Sequence, residues 1–166
     1  PSIELLNQGF LLGDMKRSPV LVAPRDKSIQ GKGISRQSVE TLRAGWAPDP
    51  EESEILPLSQ ILELQKQYPE ITLRLMNIST SKGVSMISKA QPKPMTSVFW
   101  WHLVKDNSTL SPHNIGWSVI PSIGSPNDRK SLIKGLALII FLVSQEEKIN
   151  LTVFLTSSEI TRITSA

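Results

Sequence analysis

Apolar and polar residues alternate through residues 71–76, where Ile71, Leu73 and Leu75 fall on one side of an extended chain. This period of two is typical of a β-strand with one buried face. Further short apolar runs predict strands over residues 19–23, 84–88, 95–104, 115–120 and 150–156. Residues 84–88 follow the first strand after a short polar turn, which predicts a hairpin. We therefore predict a mostly antiparallel sheet of four to six strands.

Other stretches place apolar residues three and four positions apart, which is the spacing of one helix face. These predict helices over about residues 36–44, from Pro57 to shortly before Pro69, and from Pro126 to about Gln145. Ser125 is a suitable N-cap for the last of these, with Asp128 three residues later. The sequence thus predicts an α+β fold, with the sheet packed against two or three helices in a single globular domain over residues 1–166.

Two segments of opposite charge lack any apolar period. Residues 24–36 carry positive charge and two glycines, and predict an exposed basic loop, while residues 47–56 hold two prolines and four carboxylates and predict an acidic linker. The net charge is only +3, but residues 1–43 hold seven Lys/Arg against four Asp/Glu and residues 44–70 hold one against six. This uneven distribution favours directional association with a charged partner.

The aromatic run at residues 95–104 is open to two interpretations. On a strand, Phe99 and Trp101 would share one face and Trp100 and His102 the other, so both faces need a cover. Either helices bury both faces, or one face carries an aromatic contact surface, for which Phe99, Trp100 and Trp101 are the candidate residues. With flanking lysines, such a surface suits single-stranded nucleic acid or a membrane interface.

Catalytic signatures are missing from the sequence. There is no phosphate-binding loop, metalloprotease motif or nucleophile elbow, and the chain has no cysteine. His102 and His113 are the only histidines, and neither has a serine or carboxylate at a diagnostic spacing. We therefore predict no catalytic residue, no metal site and no cofactor.

These observations favour a non-enzymatic association module: a structural, assembly or adaptor protein, such as a virion matrix-like component. A single-stranded nucleic-acid-binding domain of RNA-binding type and a small hydrolase with a histidine-based site are the alternatives. The predicted partners are an anionic membrane surface or nucleic acid, together with a protein partner or a second copy of the chain. The residues predicted to bind the anionic partner are Arg25, Lys27, Lys32, Arg36, Lys82, Lys89, Lys93 and Lys105.

No apolar run reaches the roughly 18 residues needed to span a bilayer. Nothing at the N-terminus resembles a signal peptide. The expected location is intracellular, either cytoplasmic or peripheral to a membrane.

Overall fold

A computed structural model describes residues 2–12, 18–111, 113 and 115–143. Within these residues the helices are α1 (Ile3–Leu11), α2 (Lys27–Gln30), α3 (Val39–Arg43), α4 (Glu52–Gln67), α5 (Ser81–Lys89), α6 (Trp101–Val104) and α7 (Pro126–Val143). The strands are β1 (Val20–Val22), β2 (Ser35–Arg36), β3 (Pro48–Asp49), β4 (Leu73–Leu75) and β5 (Met95–Thr96). Short 3-10 turns lie at Asn107–Thr109 and Ile115–Trp117.

Every strand pairing among the described residues is parallel. One sheet has the order β1-β4-β5, and the second pairs β2 with β3. Ser35 also forms a parallel bridge to Ile123. Parallel neighbours need a crossover, which helices such as α5 provide here, whereas hairpins would give antiparallel pairs. The prediction of a mostly antiparallel sheet of four to six strands is therefore wrong.

The predicted hairpin fails because residues 84–88 lie in α5. Thr80 caps this helix by accepting a hydrogen bond from the Gly83 backbone N–H, and Gly83 and Ile87, four residues apart, are buried along one side. Val84 and Met86 also pack against the core. The apolar residues of this short amphipathic helix fit the alternation of a strand equally well, so the strand prediction for residues 84–88 is wrong.

Only the first two residues of the aromatic run, Met95 and Thr96, form a strand. β5 ends at Thr96, and Trp101–Val104 form α6. A one-turn helix gives no repeated period, so its apolar run is indistinguishable from a buried strand by pattern alone. Trp100 and Trp101 therefore do not point to opposite faces of a sheet.

The predicted helices are present with shifted bounds. Residues 36–44 contain α3, and the helix expected from Pro57 is α4, which already begins at Glu52. Ser125 and Asp128 form the reciprocal cap predicted for α7: the Ser125 hydroxyl accepts from the Asp128 backbone N–H, and the Asp128 carboxylate accepts from the backbone N–H and the hydroxyl of Ser125. The strand predicted at residues 150–156 lies outside the described residues.

The sheet β1-β4-β5 buries one face and exposes the other. Leu73 and Leu75 point into a core formed with α1, α4, α5 and α7. On the opposite face, Leu21 and Met95 flank Arg74 in one cross-strand row and are 59% and 45% exposed. Parallel sheets are mostly covered on both faces, so an exposed row with two large apolar side chains is unusual for a sheet of this kind.

We predict that Leu75→Ala lowers the free energy of unfolding by about 2–5 kcal/mol, because a fully buried leucine leaves a cavity. Leu56→Ala is the matched control on the solvent side of α4, and should change stability by about 0.5 kcal/mol or less. Urea unfolding of both variants measures the difference. Equal losses would contradict the assignment of the buried face.

Candidate functional site

Charged and hydroxyl side chains gather just beyond the carboxyl ends of the strands. We call this group the charged cluster; its members are Arg25, Arg36, Asp49, Ser53, Glu54, Ser79 and Thr80. Arg25 follows β1, Arg36 ends β2, and Asp49 ends β3. Ser79 and Thr80 follow β4 and lead into α5. In α/β proteins this end of a parallel sheet is where ligands bind, which makes the cluster the candidate site.

Glu54 is the centre of the charged cluster. Its carboxylate is fully buried and accepts hydrogen bonds from the backbone N–H and hydroxyl of both Ser79 and Thr80, at 2.6–3.1 Å for the closest contacts. Arg25 Nη2 donates to the same carboxylate at 2.9 Å. A buried carboxylate is tolerated only when charge and hydrogen bonds compensate it, and these five donors do so.

A second pair joins Arg36 to Asp49. Arg36 Nη1 lies 3.4 Å from Asp49 Oδ2, and Arg36 Nη2 donates to Ser79 Oγ at 2.9 Å. Ser53 donates to the other Asp49 oxygen at 2.6 Å. Burial lowers the pKa of Arg25, and the neighbouring positive charge of Arg36 lowers it further, while Glu54 opposes both effects. Two guanidinium groups thus balance two carboxylates inside the fold.

The close packing around Glu54 explains a glycine in the first turn of α5. A Cβ placed on Gly83 would lie 2.8 Å from Glu54 Oε1 and 2.8 Å from Thr80 Oγ1. Any larger residue would push the carboxylate away from its donors. The sequence did contain a signal for this site: Glu54 stands four residues before Leu58 and seven before Ile61, on the apolar stripe of α4. A carboxylate on a buried stripe indicates a buried partner.

His102 lies beside the charged cluster and has no polar partner. Its side chain is 2% exposed, and neither Nδ1 nor Nε2 makes a hydrogen bond. Burial, followed by repulsion from Arg36 and Arg25, lowers the pKa of His102 to about 3. The imidazole is therefore neutral at physiological pH and a weak base, so proton transfer at neutral pH is a poor use for it.

The aromatic residues predicted as a contact surface come together after β5. Phe99 stacks on Trp101, with ring centroids 4.2 Å apart and planes at 21°. Trp100 meets Trp101 edge-on at 5.8 Å. Trp101 is half-buried, whereas Trp100 is 60% exposed. The aromatic run is thus partly core and partly surface.

The residues predicted to bind an anionic partner are divided between two environments. Arg25 and Arg36 are in the charged cluster, where they pair with carboxylates of the chain itself. The segment predicted as a basic loop accordingly contains α2 and β2. Lys105 is half-buried, with its ammonium 5.9 Å from the ring centre of Trp117. The exposed members of the predicted set are Lys27, Lys32, Lys82, Lys89 and Lys93.

Within the described residues, His113 and the acidic side chains do not form a second polar cluster that could bind a metal. His113 is exposed in a turn. Among the residues that the structure describes, no three His, Cys, Asp or Glu side chains lie close enough together to hold a metal ion. Asp49 and Glu54, which fell inside the predicted acidic linker, are the buried carboxylates of the charged cluster instead.

The charged cluster can position loops, and its own groups neutralise one another. Glu54 ties the turn after β4 to α4, and Arg36 ties β2 to the same turn through Ser79. These bonds fix the backbone at the carboxyl ends of the strands, which is the requirement for holding a substrate in one orientation. Both oxygens of Glu54 accept hydrogen bonds, so acid–base chemistry is not an evident use of this carboxylate. Asp49 Oδ2 makes no hydrogen bond and lies 3.4 Å from Arg36 Nη1 and 3.8 Å from Arg25 Nη1.

Comparison with known proteins finds a similar sequence and solved structures of similar fold. The chain is 29% identical over 143 residues to a protein from Synechocystis sp. named "Probable dihydroorotase-like protein", covering 80% of this chain and 32% of that one. The L-hydantoinase (dihydropyrimidinase) of Arthrobacter aurescens superposes with a TM-score of 0.63 at 18% identity, covering 82% of this chain and 31% of the enzyme. No protein-family model matches the chain.

The likeness to the hydantoinase is a likeness of fold, and the chain spans about a third of the length of both proteins. It explains the parallel strands and crossover helices. The prediction of a non-enzymatic structural, matrix-like or RNA-binding module is wrong, because both similar proteins carry the names of hydrolases. In the described part of the chain, no helix is both long and apolar enough to span a bilayer.

We predict that Glu54→Gln costs about 3–5 kcal/mol of unfolding free energy, because it leaves the partly buried Arg25 without its closest counter-charge. Glu63→Gln on the same helix is the matched control. Glu63 pairs with Lys66 at 2.6 Å in solvent, so its loss should cost about 0.5 kcal/mol or less. Chemical denaturation measures the unfolding free energy of both variants. A loss of about 0.5 kcal/mol or less in Glu54→Gln, as in the control, would show that the ion pair of Glu54 adds nothing to stability.

We predict that His102 makes stability depend on pH in a defined window. Its pKa is about 3 when folded and 6.5 as the ordinary value, so between these pH values the unfolded chain binds more protons. His102 therefore costs no stability above about pH 6.5, and as the pH falls from there towards 3 it lowers the free energy of unfolding by on the order of 5 kcal/mol.

The His102→Leu variant should therefore lose less stability than the unmodified protein when the pH is lowered from 7 to 4. His113→Leu, which alters an exposed histidine, should follow the unmodified protein. Urea unfolding at a series of pH values measures all three. A His102→Leu curve parallel to that of the unmodified protein would contradict the low pKa.

Proposed function

We propose that the chain is part of a hydrolase that opens cyclic amide rings, the class of reaction denoted by the names dihydroorotase and hydantoinase. The observation that carries the proposal is the gathering of polar and aromatic side chains at the carboxyl ends of parallel strands, in a chain whose sequence relative is dihydroorotase-like. The alternative of a small hydrolase is thereby favoured over the association module. That alternative made a histidine the catalytic group. His102 is instead buried without a hydrogen-bond partner, and its pKa is lowered to about 3.

The reaction proposed is hydrolysis of a ring C–N bond. The oxygen of water bonds to the ring carbonyl carbon and the bond from that carbon to nitrogen breaks. One proton of the water goes to the nitrogen and the other is released to solvent as the carboxylic acid ionises. The product is an open chain with a carboxylate at one end. The described residues support a role in binding and orientation, because the carboxylates of the charged cluster are already held by internal donors.

Arg36 is the residue through which the charged cluster would affect turnover. It links the end of β2 to Ser79 after β4 and to the Pro50 carbonyl before α4. Loss of these links would shift the loops at the carboxyl ends of the strands. A shift of about 1 Å at an active site costs on the order of a hundredfold in rate.

The test is a ring-opening assay on the protein as its host cell produces it, with hydantoin, dihydrouracil and dihydroorotate as substrates. We expect turnover of at least one of them, and a loss of at least tenfold in kcat/KM for Arg36→Met. Lys82→Met, an exposed change of the same type, should leave kcat/KM within twofold. A folded protein that turns over none of the three would contradict the proposal.

A further inference from the structure

Asn77 has an unusual backbone conformation just beyond the carboxyl end of β4, the strand that lies between β1 and β5. Its φ is 59°, in the left-handed region that side chains other than glycine rarely adopt. Among the described residues, the other positions with positive φ are Gly31 and Gly45. Non-glycine residues held in such conformations concentrate at ligand-binding sites. The chain thus keeps a side chain where the backbone alone favours glycine.

Hydrogen bonds fix the backbone around Asn77. The Asn77 N–H donates to Ser97 Oγ at 3.2 Å, and the Ile78 N–H donates to the Ser97 carbonyl at 3.0 Å. The Ser79 N–H then donates to the Glu54 carboxylate at 3.0 Å. The left-handed turn is therefore continuous with the charged cluster, and its position at the carboxyl ends of the strands is set by the same hydrogen bonds.

The Asn77 side chain is not used to support the turn. An asparagine in a left-handed turn commonly hydrogen-bonds to a nearby backbone group and stabilises the turn in that way. Here the residue is half-buried, and its carboxamide forms no hydrogen bond with any other described residue. The carboxamide is therefore available to a ligand at this end of the sheet.

A carboxamide matches the amide edge of a closed ring. It offers N–H donors and a C=O acceptor side by side. An amide inside a small ring is held cis, so its own N–H and C=O also lie side by side, whereas open-chain amides are almost always trans. Two hydrogen bonds can therefore form at once between a carboxamide and such a ring, and this pairing selects closed rings with a free N–H.

We propose that the Asn77 carboxamide binds the cis-amide edge of the substrate ring, with Nδ2 donating to the ring carbonyl oxygen and Oδ1 accepting from the ring N–H. This inference rests on the proposed function for the class of ligand. The charged cluster supplies the fixed backbone, and its own charges are paired internally. Asn77 takes no proton from the ring, so its loss should raise KM more than it lowers kcat.

Binding of uracil tests the inference without turnover. Uracil has the same cis-amide edges, and its conjugated ring resists hydrolysis. The comparison ligand is uracil methylated on both ring nitrogens, which has no N–H to donate. Titration calorimetry on the protein as its host cell produces it should show uracil bound roughly fivefold or more tightly than the dimethylated ring, the usual effect of one hydrogen bond.

Asn77→Gly is the decisive variant, because it suits the left-handed backbone and removes only the carboxamide. It should bind uracil roughly fivefold or more weakly than the unmodified protein, and should bind uracil and the dimethylated ring alike within about twofold. Its melting temperature should stay within about 4 °C of the unmodified protein, since relief of strain offsets the greater flexibility of the unfolded chain.

Two further variants complete the test. Asn77→Asp also tolerates the left-handed region but has no Nδ2 donor, so it should weaken uracil binding at least as much as Asn77→Gly. Asn127→Ala removes an exposed carboxamide from the first turn of α7 and should leave the Kd unchanged. A preference for uracil that survives in Asn77→Gly would overturn the inference, as would a larger fall in melting temperature that accompanies the loss of affinity.

Turnover separates the two proposals. Ring opening of hydantoin with an unchanged KM in Asn77→Gly would overturn the role of Asn77 and leave the hydrolase standing. A preference for uracil that depends on Asn77, without any ring opening, would support that role and contradict the hydrolase. A raised KM with kcat within about twofold supports both. A protein that neither binds uracil nor opens any of the three rings contradicts both.

Discussion

The rest of the described structure depends on compensation of the buried Glu54 carboxylate. A lone carboxylate in this position would cost several kcal/mol, so its donors must be present whenever the chain is folded. Those donors are the backbone and hydroxyl groups of Ser79 and Thr80 and the guanidinium of Arg25. One carboxylate on α4 thereby fixes the turn after β4, the start of α5 and the segment after β1.

This arrangement explains how such short strands keep their geometry. The strands of the larger sheet have two or three residues each, and parallel pairing is slightly weaker than antiparallel pairing. Side-chain bonds at the carboxyl ends add connections that the backbone ladders do not supply. On the opposite face, the row of Leu21, Arg74 and Met95 is exposed, so the buried face and these carboxyl-end bonds hold the sheet together.

The aromatic run continues from β5 into α6. Phe99 and Trp101 stack on each other, and Trp100, which is 60% exposed, meets Trp101 edge-on. The charged cluster, in contrast, holds the loops at the carboxyl ends of the strands through hydrogen bonds and ion pairs.

The sequence alone determined the helices with strong local signals. Ser125 and Asp128 predicted the cap of α7, and the spacing of Leu58 and Ile61 predicted α4, because both depend on residues within one or two turns. Strand direction was not predictable, since it depends on which distant segments meet. Residues 84–88 and 101–104 were misassigned because a few apolar residues fit a short helix as well as a strand.

The charged cluster likewise depends partly on local sequence and partly on contacts between distant segments. Composition identified Arg25, Arg36 and the aromatic residues as notable, but it could not show that the arginines are buried. That outcome depends on Glu54 and Asp49, which are 29 and 13 residues away along the chain. Only the tertiary structure brings these charges within 4 Å of one another, and at that distance in a buried environment they pair with each other instead of with solvent.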